Sequence, residues 1–127
     1  MIGLNGHMVN TAFYYGFCFD ANELVTRFQL SEEDEGETIA VADSMMNKVT
    51  GVTSVHTDFE FDSNLGEGEK LIVGIKLGSC DAHYTGVMRA QIVLEPEQAD
   101  AFNRFIAQNP KLQDVIPGFY VYVDADK

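Results

Sequence analysis

A chain of 127 residues, 46% of them hydrophobic, is long and apolar enough to bury a core of its own without disulfide or metal support. Twenty acidic residues against eight basic ones give a formal charge of -12 at pH 7. That charge disfavours holding a phosphate backbone by counterion release and disfavours adhesion to anionic lipid, while it favours solubility and fast encounter with cationic proteins.

Cys18 and Cys80 form no C-x-x-C pair, so zinc-ribbon and thioredoxin spacings are missing and two reduced, buried thiols are expected. No apolar run has the length of a membrane span, and the start lacks the basic and apolar regions of a signal peptide. The expected compartment is the cytoplasm. His7-Met8 is what a common cloning site at a start codon encodes, so residues 1–7 are either native or a vector remnant, and His7 is left out of every site.

Residues 9–19 are rich in aromatic and β-branched side chains, with Phe13, Tyr15, Phe17 and Phe19 on one face and Ala12, Tyr14, Gly16 and Cys18 on the other. Both faces read as buried, which predicts a central strand. After a turn signal at residues 20–23, Leu24, Thr26, Phe28 and Leu30 alternate with Val25, Arg27 and Gln29, which predicts a second strand. Ser31 then opens a helix through residue 51: acids fill its start, Ile39, Ala42, Met46 and Val49 recur at helical spacing, and Gly36 marks a possible later beginning.

Residues 55–77 read as a β-hairpin. Val55, Thr57, Phe59 and Phe61 alternate with His56, Asp58, Glu60 and Asp62, then Leu71, Val73, Ile75 and Leu77 alternate with Ile72, Gly74 and Lys76. Gly66 and Gly68 mark the turn, and the apolar sets are expected on one covered face. Residues 78–84 read as a loop and residues 85–94 as a further strand. Pro96 starts a second amphipathic helix with Ala99, Phe102, Phe105 and Ile106, and residues 119–124 close the chain as a last strand.

The predicted order is β-β-α-β-β-β-α-β in a single α+β domain spanning residues 1–127. Amphipathic helices beside a mostly antiparallel sheet imply a two-layer sandwich with two helices on one face. The second half resembles the ferredoxin-like split β-α-β arrangement in architecture only, and such folds carry many unrelated functions.

Four groups of residues invite a chemical reading. Asp58, Glu60 and Asp62 project from one predicted strand face below His56, with neighbours roughly 7 Å apart. A hard cation would need further oxygen ligands from elsewhere, so no metal is expected, and a solvated face or a partner-binding stripe remains. Glu32, Glu33, Asp34, Glu35 and Glu37 form the densest acidic cluster, beyond the needs of helix capping, which suggests a basic partner. Cys80, Asp81 and His83, with His56 across the sheet, supply a thiol, carboxylate and imidazole, the materials of a nucleophile or metal site, although a triad is recognised only by its geometry. Residues 66–70 lack phosphate-loop spacing and carry acids that repel phosphate.

The expectation is a small, non-enzymatic acidic protein without cofactor that docks on a basic protein, a nucleic-acid-binding protein being one such partner, and inhibits it. Immunity proteins, phage anti-defence proteins and DNA mimics work this way, with carboxylates where phosphates would lie. The alternative is a small-molecule-binding or enzymatic α+β domain. Its pocket would lie between sheet and helices, lined by Phe13, Phe17, Met45, Met46, Met88 and tyrosines, with polar groups from Cys80 to His83. A subunit that self-associates through an exposed sheet edge is a third reading.

Overall fold

The computed structural model describes residues 8–31, 34–58, 60, 62–83, 87 and 89–124. The elements run β1 (Met8–Asp20), α1 (Ala21–Phe28), α2 (Glu35–Met45), β2 (Val52–Thr57), β3 (Lys70–His83), α3 (Pro96–Ala107) and β4 (Gly118–Asp124), with 3-10 turns at Ser63–Leu65 and Pro110–Leu112. The four strands form one antiparallel sheet in the order β2-β3-β1-β4. Helices cover one face of it, so the α+β two-layer class read from the sequence holds, with three helices in the second layer.

The aromatic run of β1 lies in the middle of the sheet because both of its faces have something to bury. Phe17 and Phe19 sit opposite Val73 and Leu71 and join Leu24, Phe28, Ile39, Ala42, Phe102 and Phe105 in the main core. On the other face Ala12 and Tyr14 pack with Ile72, Val55, Tyr120 and Tyr122 in a smaller cluster. Gly16 faces Gly74 across β1 and β3, and a Cβ on either would run into the facing backbone, so this close approach requires glycine.

Residues 21–28, most of them in the stretch expected to be a second strand, are helix. The alternation of Leu24, Thr26 and Phe28 gives way to a capping box: Asp20 Oδ1 accepts from the Glu23 amide at 2.8 Å and Glu23 Oε1 accepts from the Asp20 amide at 3.3 Å. Ala21, Leu24 and Phe28 then share one buried helix stripe, and Gln29, at φ 55°, ends the helix in the left-handed region. Arg27 ties α1 to the stretch before β4 through Asp114, at 2.7 and 3.3 Å, and through the Lys111 carbonyl at 3.0 Å.

The hairpin of β2 and β3 is present, but β2 stops at Thr57 instead of running to residue 62. Its register also differs. Val52, Ser54 and His56 lie opposite Ile75, Val73 and Leu71, whereas Val55 and Thr57 lie opposite Ile72 and Lys70. The apolar alternations of the two strands therefore fall on opposite faces, since a long connection leaves the register to packing and one step of slip exchanges the faces.

β3 continues through residues 78–83, which were expected to be a loop, because the 13-residue β1 offers them a ladder: Thr11 pairs with Cys80 and Asn10 with Asp81. A register shift at Phe13/Tyr14 absorbs one residue. The strand expected at residues 85–94 is not formed at residues 87 and 89–94, and residues 85, 86 and 88 lie outside the described set. Gln91 instead bonds to the Val93 carbonyl at 2.7 Å and to Gln98 at 3.0 Å, leading the chain into α3. That helix matches its sequence reading, with Pro96 in its first turn and Ala101, Phe102 and Phe105 buried.

Candidate functional site: an acidic end and a cavity on the open sheet face

The two acidic clusters, separate in sequence, meet at one end of the molecule. The Glu69 amide donates to Glu35 Oε1 at 3.0 Å, which fastens the β2–β3 connection to the start of α2. His56 Nε2 and Glu69 Oε1 lie 2.6 Å apart, partly exposed on both sides. A Cβ on Gly66 would stand 3.7 Å from Asp20 Oδ2, so the start of α1 borders the same connection. Asp20, Asp34, Glu35, Glu37, Glu67 and Glu69 therefore share one end, next to Asp62.

Several of these carboxylates have local work. Asp20, Asp34 and Asp62 cap α1, α2 and the Ser63–Leu65 turn, accepting from Glu23, Gly36 and Asn64 amides at 2.8, 2.8 and 3.0 Å. Glu35 and Glu69 are bonded as described. Glu37 lies exposed in the first turn of α2, while the Asp58 and Glu67 carboxylates are exposed and, among the described residues, make no hydrogen bond or ion pair. Glu60 is half-buried outside any strand, so Asp58, Glu60 and Asp62 do not form the expected single row on a strand face. Glu32 and Glu33 lie outside the described residues, as do Phe59 and Phe61.

No protein-family model, curated protein or solved structure matches the chain. Its chemistry is thus read from its own geometry.

The sheet face away from the helices holds a cavity of about 240 Å³ lined by Cys18, Lys70, Ile72, Tyr120 and Tyr122, with Glu60, Asp62 and Leu65 entering from the β2–β3 connection. Lys70 is 3% exposed and donates to the Glu67 and Gly68 carbonyls at 3.0 and 3.1 Å. Burial pushes the Cys18 thiol up to about 11, with the Lys70 charge opposing. Burial likewise raises Tyr14, Tyr120 and Tyr122. At neutral pH these groups are an uncharged thiol and phenols, able to hydrogen-bond but not poised as nucleophiles. The space between sheet and helices, where the sequence placed a pocket, is occupied by Phe17, Phe102, Phe105 and Met46, while Met45 is exposed and Met88 lies outside the described residues.

His56 and the group at Cys80 and Asp81 stand far apart. His56 pairs with Leu71, and Asp81 is ten positions further along β3, a separation of roughly 30 Å at strand rise. Asp81 Oδ1 accepts from Asn10 Nδ2 at 2.6 Å, and the Cys80 thiol donates to the Asp81 carbonyl at 3.4 Å. The His83 side chain lies outside the described residues. Among the described residues no three His, Cys, Asp or Glu side chains are placed to hold a metal, and no helix is long and apolar enough to cross a membrane.

Lys70 is the site residue that sequence reading passed over. Its signal was the alternation Lys70, Ile72, Gly74, Lys76, which puts it on the face opposite the main core. Nothing local says that this face would be closed over by the connection.

Proposed function

We propose that this protein is a small acidic binding protein, not an enzyme, that docks its acidic end on a basic protein and inhibits it by covering a nucleic-acid-binding or catalytic surface. The observation that carries this reading is the Glu35–Glu69 hydrogen bond, which makes one carboxylate-rich surface out of two sequence clusters. Carboxylates held on helix starts and a braced connection are positioned before the partner arrives, which lowers the ordering cost of docking. Their summed field steers a basic partner and makes association sensitive to salt.

The test is affinity capture from host lysate on the immobilised chain, at salt of about 0.05 M and about 0.5 M. The expected result is a basic protein held at low salt and released at high salt. The triple variant Glu37→Gln, Asp58→Asn, Glu67→Gln should bind that protein more slowly and more weakly while folding as the parent does. Equal binding by parent and variant, without salt dependence, would reduce the charge to a solubilising role.

A further inference from the structure

The open-face cavity carries chemistry that partner docking does not use, and it starts from Lys70. A lysine is almost never fully buried unless paired, yet Lys70 is 3% exposed and makes no ion pair among the described residues. Two of its three N–H groups go to the Glu67 and Gly68 carbonyls; the third has no acceptor among the described residues. Asp20 lies directly opposite it in the β1–β3 ladder, but Asp20 Oδ1 caps α1 and the carboxylate forms no ion pair with Lys70. The result is a buried lysine on the wall of a cavity, with one N–H donor open toward an anionic ligand.

The other walls limit what that anion can be. Ile72 and the two tyrosines, Tyr120 and Tyr122, make most of the lining apolar, and Glu60 and Asp62 add two carboxylates. Asp62 is exposed and Glu60 half-buried, so these acids stand toward the mouth while Lys70 is deep. A simple anion entering would be repelled at the mouth; a simple cation would be repelled by Lys70. A molecule bearing both charges close together satisfies both ends. A volume of about 240 Å³ falls just below the usual range for drug-sized ligands, about 300–1,000 Å³, so the ligand is small.

We propose that this cavity binds a free amino acid with an apolar side chain, its carboxylate on Lys70, its ammonium toward Glu60 and Asp62, and its side chain against Ile72 and the tyrosines. This site adjoins the docking surface at Asp62 but does not rest on the docking reading, and its failure would leave that reading intact.

The experiment is an NMR titration of the whole chain with L-leucine and L-phenylalanine to millimolar concentration, beside N-acetyl-phenylalanine, which lacks the ammonium, and phenylalaninamide, which lacks the carboxylate. The expected result is saturable shifts confined to residues around Cys18, Ile72, Tyr120 and Tyr122, with each blocked form at least tenfold weaker than the free amino acid. Lys70→Met should abolish binding. Should that variant fail to fold, the blocked forms on the parent chain still decide, as does Glu60→Gln, which should narrow the preference for the free over the N-acetylated form. Absence of saturable shifts with either amino acid, or blocked forms that bind as well as the free ones, would overturn the proposal.

Discussion

Placing a methyl group at Gly74 and, separately, at Gly78 sets a sharp test of the sheet geometry, because the two positions lie on the same strand and differ in what stands opposite. At Gly74 a Cβ would run into the Tyr15 carbonyl and come 2.8 Å from Gly16 Cα, both backbone atoms. No rotamer relieves that, so β1 and β3 must separate locally. Two or three ladder hydrogen bonds at about 1 kcal/mol each would weaken, and the packing of Phe17 on Val73 would loosen with them. Against this stands the gain of about 0.4–1 kcal/mol from a stiffer unfolded chain, which leaves a net loss of about 2–4 kcal/mol. At Gly78 nothing lies within 4 Å of the added atom, so only the unfolded-state gain applies and stability should hold or rise by up to about 1 kcal/mol. Urea unfolding followed by circular dichroism measures both. Gly74→Ala and Gly78→Ala with midpoints that coincide would refute the register of β1 on β3.

Three further perturbations probe other parts of the fold. Phe105 is fully buried against Phe17 and Phe102, so Phe105→Ala should cost about 3–5 kcal/mol in the same assay; a loss under 1 kcal/mol would mean that α3 does not pack there. Asn109 accepts from the Asn47 amide at 2.8 Å and donates to the Asn47 and Phe105 carbonyls at 2.8 and 2.7 Å. Asn109→Ala strands those groups and should cost about 2–4 kcal/mol, whereas a neutral result would remove this bridge from the account. The Cys18 thiol, ordinarily near 9.0, is held up to about 11 in the folded chain, so between those values the unfolded state sheds its proton first. Stability should therefore fall as pH rises from about 9 toward 11 and show no dependence on this group below that window. Cys18→Ala should flatten the alkaline limb; an unchanged slope would assign it to the tyrosines alone.

A dominant period decided some stretches and misled in others, as at residues 85–94, whose alternation forms no strand at residues 87 and 89–94. The alternation of β1 and β4 and the helical spacing of α3 correspond to the elements formed, whereas α2 ends at Met45, short of the Met46 and Val49 that contributed to its expected period. Residues 21–28 satisfy two periods, since Leu24 and Phe28 lie four apart as well as on one alternating face, and the contact that decides is Asp20 with Glu23 at the preceding turn. The stretch 78–83 lacks the look of a strand, and only the length of β1 draws it into the ladder. That extension also separates what the sequence grouped: neighbours along a strand point to opposite faces, so Cys80 and Asp81 diverge. Of the candidate site, the acidic runs were visible as composition. Their union was not, because it hangs on a bond from Glu69 to Glu35 across thirty-four positions, and the burial of Lys70 depends on where residues 62–68 pass over the sheet.

The docking reading stands or falls on which carboxylates the fold itself needs. Caps such as Asp20, Asp34 and Asp62 are worth about 0.5–2 kcal/mol each to the element they start, and Glu37 gains about 0.3–1 kcal/mol from the dipole of α2. Those acids would be useful in a protein with no partner. The Asp58 and Glu67 carboxylates have no such return: both are exposed and without a bond among the described residues, on a chain of net charge -12, where each added negative charge repels its neighbours by up to about 1 kcal/mol at 4 Å in water. Neutralising them should relieve repulsion without removing any contact. The double variant Asp58→Asn, Glu67→Gln is therefore expected to melt at or above the parent temperature, by up to about 3–5 °C if about 1 kcal/mol is recovered. The gain should shrink at 1 M salt, where screening acts within about 3 Å. A thermal melt at both salt concentrations makes the comparison. If the variant instead melts lower at every salt concentration, these carboxylates have local partners, the acidic end is explained by folding alone, and its use as a docking surface loses the residues that argue for it.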